Sequence, residues 1–234
     1  MSVLLLRLAA PLQSWGDSSR FVRRQSRQEP TKSGVLGLLA SAQGRRRTDP
    51  IEDLAGTSFA VRVDQPGRLV RDFQTARSMD GSKTMPLSYR YYLADAVFVA
   101  AVEADAALVE GLDAALRDPV YPLYLGRRSC PPVGRINLGV HDGGLESVLR
   151  NLNEVPWQAS TWYRRQQAKA IDLELVRDAD DPSDVGEVVR DQPVSYDPRL
   201  RQYGWRTVVR SAPVRVDNPA GRREHDAMAA LGGA

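Results

Sequence analysis

The residues with the clearest chemical potential in this sequence are a glycine, two arginines and a serine that follow one another. They are Gly126, Arg127, Arg128 and Ser129, and the pair Pro131-Pro132 closes the segment. A glycine lets a phosphate approach the backbone, arginine supplies a forked donor, and prolines fix the shape of a loop. The segment therefore predicts a phosphate-binding loop. A loop whose arginines are only solvated remains the alternative on local chemistry alone.

Aromatic side chains near this loop could add stacking surfaces. Tyr121 and Tyr124 precede it, and unpaired bases stack on tyrosine rings, although both could equally be core residues. Ser14 and Trp15 follow the first predicted strand and could meet the start of the first helix, where free N–H groups attract phosphate. Trp15 could instead close off the core.

Two further segments carry basic residues. Arg45-Arg46-Arg47 follows the first predicted helix and is typical of a solvated helix end, yet it belongs to a strongly basic region. A polar segment at 76–87 is expected to extend from the domain, along an RNA strand or against a neighbouring subunit. The basic and aromatic residues in and just after this segment are Arg77, Lys83, Tyr89 and Arg90.

Catalytic candidates are few. A general base must lie within hydrogen-bond reach of its substrate, and neither His141 nor His225 stands in a recognisable constellation. Cys130 has no identifiable base, so a small buried residue is the simpler interpretation. The two histidines and the cysteine lack the paired spacing of a metal site, and there is no GxxxxGK[ST] phosphate loop. The sequence thus argues against an enzyme, a metal site or a bound cofactor.

Apolar periodicity predicts the elements that position these candidates. Strands are expected at 3–9, 57–64, 69–75, 89–92 and 96–102, and helices from about 31 to 44 and from 105 to 116. Because Gln65-Pro66-Gly67 is a turn signal, the second and third strands are predicted to form a hairpin. The order strand, helix, strand pair, helix, strand is typical of an α+β fold of the ferredoxin-like or RRM-like class.

The pattern changes after about residue 150. Strands are expected at 171–176 and 204–216 around an acidic loop, which indicates a smaller β-rich region. We therefore divide the chain into an RRM-like domain at 1–150, a β-rich region at 151–220 and a mobile tail at 221–234.

Composition narrows the class of protein. The chain is 42% hydrophobic and 26% charged, as is usual for a soluble globular protein, and its single cysteine fits a reducing compartment. The apolar start is interrupted by Arg7, too early for a secretory signal. No run reaches the roughly 20 apolar residues of a membrane span. We expect a cytoplasmic protein.

Charged residues are distributed unevenly along the chain, although the net charge is only +3. Residues 20–47 contain eight basic residues and one acid, whereas residues 172–191 contain eight acids and two basic residues. This asymmetry predicts an anionic partner on one face. Arginine far outnumbers lysine, which favours bidentate phosphate contact but is also what a GC-rich genome would produce.

Four segments, in this order along the chain, resemble the CasD family, the Cascade subunit of type I-E CRISPR systems. They are LLLRLAAPLQSWG, EPTKSGVLGLLASAQG, YPLYLGRRSCPP and GWRTVVRSAPV. The resemblance covers residues 3–139 strongly and 200–216 more weakly. Residues 151–200 contain no motif that can be placed.

The resemblance implies a fold and a role. It implies an RRM-like domain with a thumb at about 76–92 and a smaller β-rich C-terminal part. It implies a non-catalytic subunit that binds the 5′ handle of the guide RNA (crRNA) and caps a crescent of CasC backbone subunits. It also implies contact with the large CasA subunit, whereas target DNA is met only indirectly, through guide pairing.

Carried over residue by residue, the resemblance places the handle near Gly126, Arg127 and Arg128. Ser14, Trp15, Lys32 and the thumb are further contributors. In a related type I-C subunit, a tyrosine–lysine–histidine set cuts the precursor guide RNA. Lys32, Lys83 and Lys169 have no histidine nearby in sequence. Three hypotheses therefore stand. The first is a handle-binding subunit, the alternative is a metal-independent endoribonuclease, and the third is a free-standing RNA chaperone that joins no complex.

Overall fold

The computed structural model describes residues 1–16, 23–181 and 183–222, so most of the predicted tail at 221–234, including His225, lies outside the described residues. In chain order the elements are β1 (Ser2–Ala9), β2 (Leu12–Gln13), β3 (Arg23–Arg24), α1 (Lys32–Ala42), α2 (Glu52–Ala55), β4 (Ser58–Gln65), β5 (Arg68–Gln74), β6 (Ser88–Ala94), β7 (Val97–Ala104), α3 (Ala106–Arg117), β8 (Asn137–Asp142), α4 (Leu145–Arg150), α5 (Thr161–Gln166), β9 (Ala170–Asp178), β10 (Glu187–Ser195) and β11 (Gln202–Asp217).

The larger sheet has seven strands in the order β10-β11-β9-β4-β7-β1-β8. All of its neighbouring strands are antiparallel. Because β1 and β4 each pair antiparallel with β7, they run parallel to one another, and α1 connects them. The strands after residue 169 extend this sheet, since β9 pairs with β4. The predicted α+β class is confirmed.

Both faces of the sheet are buried around β1. Leu4 and Leu6 belong to the apolar cluster that includes α1 and α3. Val3 and Leu5 belong to the cluster on the opposite face, which includes α4 and Trp157. A strand covered on both sides is expected to be apolar throughout, which explains the run that begins the sequence. A nucleic acid therefore cannot lie across this part of the sheet.

A fully buried ion pair attaches α4 and the segment after it to the second face of the sheet. The Arg62 guanidinium donates to both carboxylate oxygens of Asp64, at 2.7 and 3.0 Å. It also donates to the backbone carbonyls of Leu149 and Val155, at 2.7 and 3.0 Å. The Asp64 carbonyl in turn accepts the indole N–H of Trp157 at 2.7 Å. Strand β4 is thereby tied to the segment that follows α4.

The predicted hairpin between 57–64 and 69–75 is wrong. Strand β4 pairs with β7, and β5 pairs with β6. The register nevertheless continues from one pair to the other, from Gln65 opposite Val97 to Arg68 opposite Ala94. The chain thus forms one long ribbon that bends sharply out of the main sheet.

Gly67 makes the bend possible. Its φ is +74°, in the left-handed region that favours glycine. A Cβ at this position would lie 2.6 Å from the carbonyl oxygen of Ala94 on the opposite strand. Beyond the bend, β5 and β6 form a smaller sheet with β2 and β3.

The predicted thumb at 76–92 corresponds to the exposed loop between β5 and β6 together with much of β6. Its assignment as a thumb remains a prediction. None of the helices in the described part of the chain is long and apolar enough to cross a membrane.

Replacing Asp64 by alanine should lower the free energy of unfolding by about 3–5 kcal/mol, because the Arg62 guanidinium is left buried without its carboxylate. Urea denaturation of the purified chain measures this. The matched control is Asp172→Ala, which breaks an exposed pair with Arg215 of 3.0 Å and should change the free energy by about 1 kcal/mol at most. Equal effects of the two substitutions would contradict a stabilising role for the buried pair.

Candidate RNA interface

An open groove of about 800 Å³ runs between the start of α1 and the hairpin of β10 and β11. Its lining arginines are Arg24, Arg27, Arg127, Arg190 and Arg201. Among the described residues, Glu187 is the one acid that lines it, and Arg27 pairs with Glu187 at 3.0 Å. The groove is therefore strongly basic and suited to a polyanion.

The loop singled out in the sequence forms one end of the groove. The backbone N–H of Ser14 donates to the carbonyl of Leu125 at 3.1 Å. Gly126 has a φ of +86°, and a Cβ there would lie 1.7 Å from the Ser14 carbonyl oxygen. The glycine is therefore required for contact with the neighbouring backbone, a reason different from the phosphate approach expected from the sequence.

Arg127 lines the groove and also holds the smaller sheet. Its guanidinium donates to the carbonyls of Tyr91 and Arg24, at 3.2 and 2.9 Å, and lies 4.5 Å from the centre of the Tyr92 ring. Arg128 is exposed. The sequence thus identified a basic loop at the groove, but only part of Arg127's donor capacity is left for a ligand.

Ser129, like Arg127, lies close to Tyr92 of β6. Burial raises the pKa of the Tyr92 hydroxyl, but hydrogen bonds with Ser129, Arg127 and Arg90 lower it by more, so the net shift of the pKa is downward. Arg127 anchors β6 through the carbonyl of Tyr91 and the ring of Tyr92, whereas Ser129 is exposed.

Trp15 and Lys32, which were expected to contribute to RNA binding, are both buried. Trp15 is 0% exposed and donates its indole N–H to Gln13 at 3.1 Å. It packs under α1, where a Cβ on Gly34 would lie 2.8 Å from its ring. Lys32 is 5% exposed, and its ammonium group pairs with Asp178 at 2.9 Å. Neither side chain is open to a ligand in this structure.

The N-terminus of α1 already holds a carboxylate. The backbone N–H of Lys32 donates to Asp191 at 2.8 Å, and the side chain of Thr31 caps the helix by accepting the Gly34 N–H at 3.3 Å. Because an anion is stabilised at this position, Asp191 occupies the place that the sequence suggested for a phosphate.

Asp191 is part of a buried charge network that positions the far wall of the groove. Arg206 of β11 donates to Asp191 at 2.9 Å and also to Asp178. Burial lowers the pKa of the Arg206 guanidinium, but the hydrogen bonds and charges of these two carboxylates raise it by more, so the net shift is upward. With Lys32, the network joins α1, β9, β10 and β11.

Sequence reasoning missed the aromatic residues of this wall. Trp205 is 66% exposed and lines the groove together with Tyr203. Arg190 lies 5.8 Å from the centre of the Trp205 ring, and Arg201 lies 5.3 Å from that of Tyr203. The alternation of Tyr203, Gly204, Trp205 and Arg206 along β11 was the available signal, since side chains in a strand point alternately to opposite faces.

A second, smaller hollow of about 140 Å³ adjoins the groove. It shares Ser33, Gly34, Gly126 and Arg201 with the groove. It also contains Tyr124 and the run Arg45-Arg46-Arg47. The basic run at the end of α1 therefore lies beside the groove and extends its positive surface.

The four predicted thumb residues lie elsewhere. Arg77 and Lys83 are exposed in the loop between β5 and β6, and Tyr89 and Arg90 belong to β6. Within the described chain, none of these four lines the groove. The segment predicted as the thumb approaches the groove through β6, where Arg90 stands opposite Arg24 of β3 and Arg127 contacts Tyr91 and Tyr92.

The acidic residues between 172 and 191 are largely paired. The ion pairs are Asp172–Arg215, Glu174–Arg210, Asp178–Lys32, Asp178–Arg206, Asp180–Arg177, Asp184–Arg177, Glu187–Arg27 and Asp191–Arg206. The acidic stretch of the sequence is thus largely neutralised by arginines of the C-terminal strands and by Arg27 and Lys32 near the start of α1, and most of the groove arginines are left without an acidic partner on its lining.

Among the residues that the structure describes, groups suited to catalysis are not assembled at the groove. His141 lies on β8 and contacts Glu154 at 3.2 Å. Cys130 is buried, and burial raises the pKa of its thiol. In residues 1–16, 23–181 and 183–222, no three His, Cys, Asp or Glu residues are placed to hold a metal ion.

The chain resembles CRISPR-associated proteins along most of its length. The family described as CRISPR-associated protein (Cas_Cas5) matches residues 3–209. The chain is 35% identical over 159 residues to the CRISPR system Cascade subunit CasD of Escherichia coli (strain K12), a match that covers 59% of this chain and 70% of that protein. The resemblance noted in the sequence is confirmed.

Two solved structures are similar over nearly the whole chain. One, described as a CRISPR RNA-guided surveillance complex, gives a TM-score of 0.73 at 29% identity and covers 98% of this chain and 97% of the other. The second, described as the crystal structure of Cas protein, gives a TM-score of 0.66 at 32% identity and covers 94% and 98%.

Replacing Gly126 by alanine should lower the free energy of unfolding by more than about 1 kcal/mol, because the left-handed backbone is strained by a side chain and the new methyl group displaces Ser14. The control is Gly111→Ala within α3, where a Cβ meets nothing within 4 Å and helix propensity should raise stability by about 1 kcal/mol. Urea denaturation compares the two. A Gly126 variant as stable as the natural protein would show that the loop does not need this close approach.

Proposed function

The chain belongs to the Cas5 family of CRISPR-associated proteins, and from this premise we propose that it is a non-catalytic subunit of a type I-E Cascade surveillance complex. In this proposal the arginine-lined groove binds the 5′ handle of the crRNA. The observation that carries it is the groove itself: of the described residues that line it, five are arginines and one is an acid, Glu187, which is paired with one of the five, Arg27. The relatives named above, a Cascade subunit and a chain of an RNA-guided surveillance complex, support the assignment.

Single-stranded RNA suits this groove better than a duplex. Proteins bind unpaired strands by combining a positive groove that follows the backbone with aromatic rings that stack on bases. The groove contains both, with arginines at either end and Tyr203 and Trp205 on one wall. A 5′ handle held here would leave the rest of the guide free to pair with its target.

We also propose that β1, α1, β4, β7, α3 and β8 form a ferredoxin-like core. The order β8-β1-β7-β4, with β1 parallel to β4, is the order expected for two interleaved β-α-β units. In this protein the sheet is covered on both faces. RNA would therefore be bound by loops and by the C-terminal hairpin rather than across the sheet.

The subunit would also contact its neighbours in the complex. We propose that the β5–β6 hairpin is the thumb and meets a CasC backbone subunit. Leu69 and Phe73 support this, because they lie on one face of β5 and both are exposed. Contact with the CasA subunit is proposed on the family resemblance alone.

The endoribonuclease alternative has less support. Among the described residues, Lys32 pairs with Asp178, Lys169 donates to the carbonyl of Pro219 at 2.7 Å, and His141 contacts Glu154. No lysine–histidine pair is therefore assembled in this part of the chain. Precursor repeat RNA incubated with the chain in EDTA should remain intact, and a specific cut abolished by a His141 substitution would overturn the binding-only role.

Replacing Arg24 and Arg128 together by alanine should weaken binding of handle RNA and reduce its salt dependence. Both side chains are exposed, so the substitutions should remove charges that face phosphates without unfolding the chain. The slope of log K against log salt should fall by about 0.7 for each phosphate that is no longer neutralised. Fluorescence anisotropy with labelled handle RNA over a salt series measures the slope. Arg127 is left intact because it holds the smaller sheet.

The control for this measurement is Arg215→Ala, which removes an exposed arginine that is paired with Asp172 and does not line the groove. Its slope should match that of the natural protein. If the control and the double variant reduce the slope equally, or if the double variant leaves it unchanged, RNA is not bound at the groove.

A further inference from the structure

The wall formed by β10 and β11 presents an exposed tryptophan to a basic groove. Trp205 is 66% exposed, and Tyr203 lines the same groove. Large aromatic rings are mostly buried in proteins, and when they are exposed together they often mark a binding surface. The function of this wall is not explained by phosphate binding alone.

The orientation of Trp205 is fixed by its neighbour in the strand. Arg206 points inward, where it pairs with Asp191 and Asp178. Because successive side chains of a strand point to opposite faces, anchoring Arg206 directs Trp205 outward into the groove. The side chain is therefore directed into the groove before any ligand arrives.

Each ring on this wall has an arginine close to it. Arg190 lies 5.8 Å from the centre of the Trp205 ring, and it also donates to the carbonyl of Tyr203 at 3.2 Å. Arg201 lies 5.3 Å from the centre of the Tyr203 ring and donates to its hydroxyl. Aromatic surface and positive charge thus lie side by side on the wall, and a single nucleic-acid strand offers the matching pair of groups, bases and phosphates.

We propose that this wall is a stacking platform for an unpaired nucleobase of the bound RNA. Trp205 receives the face of the base, Tyr203 extends the platform, and Arg190 and Arg201 contact the flanking phosphates. The inference rests on the proposed function, because it assigns a base-binding role to one wall of the same groove. The opposite end, near Gly126 and Arg128, contacts the backbone of the strand.

A nucleic acid fits this wall better than a protein partner. The groove has five lining arginines, and its acid, Glu187, is already paired with Arg27, so an acidic or phosphate-bearing ligand is favoured. Stacking on an aromatic side chain is also tolerant of sequence, since every base has a π-face. The platform can therefore fix the position of the strand without reading a particular base.

The test uses the complex assembled with guide RNA that carries 2-aminopurine at one handle position at a time. Stacking quenches the fluorescence of this base. At one position, Trp205→Ala should raise the fluorescence severalfold, whereas Trp205→Phe should largely retain the quenching. Affinity for the handle should fall roughly 5- to 150-fold in the alanine variant. The matched control is Trp162→Ala, which removes a tryptophan on α5 that is 49% exposed and lies outside the groove.

Each other result overturns the inference in a distinguishable way. If RNA remains bound and Trp205→Ala leaves the fluorescence unchanged at every position, the wall does not stack a base, although the proposed function stands. If that variant instead loses a protein subunit, the wall is a protein-binding surface. If the natural complex does not retain the handle through this chain, the proposed function fails and the platform fails with it.

Discussion

The structure depends on a buried set of charges in which Arg206 lies between Asp191 and Asp178 and Lys32 completes the group. These four residues come from β11, β10, β9 and α1, so the network joins the last third of the chain to its first helix. Removing one member of such a group leaves a buried charge unpaired, at a cost of about 3–5 kcal/mol. The network therefore helps to hold the two walls of the groove opposite each other.

Further ion pairs of the C-terminal strands explain how the groove remains basic in a chain with nearly balanced charge. The acids of the C-terminal strands are used to pair with arginines of β9 and β11 and with Arg27. Arg24 and Arg128 remain exposed at the groove and beside it. The arginines that pair with acids inside the sheet are therefore mostly not the ones proposed to bind the ligand. Arg127 is an exception, because it lines the groove and also holds the smaller sheet.

Local periodicity was sufficient to predict β1, α1, β7 and α3, because each has an apolar pattern that does not depend on distant residues. The hairpin after β4 was wrong because the bend at Gly67 redirects β5 into another sheet, and strand pairing is a non-local property. The burial of Trp15 and Lys32 could not be predicted from the local sequence. Trp15 is covered by α1, and Lys32 pairs with Asp178, which lies far away in sequence. Trp205 was missed because its exposure follows from the anchoring of Arg206.

The central claim is that the 5′ end of the guide RNA lies between α1 and the β10–β11 hairpin. A cryo-EM reconstruction of the complex assembled from this chain, its neighbouring subunits and the guide RNA tests it most directly. We expect density for the 5′ nucleotides along the groove, with phosphates near Arg24 and Arg128 and one base against Trp205. An empty groove, with the 5′ nucleotides resolved on another surface of the chain, would contradict the claim.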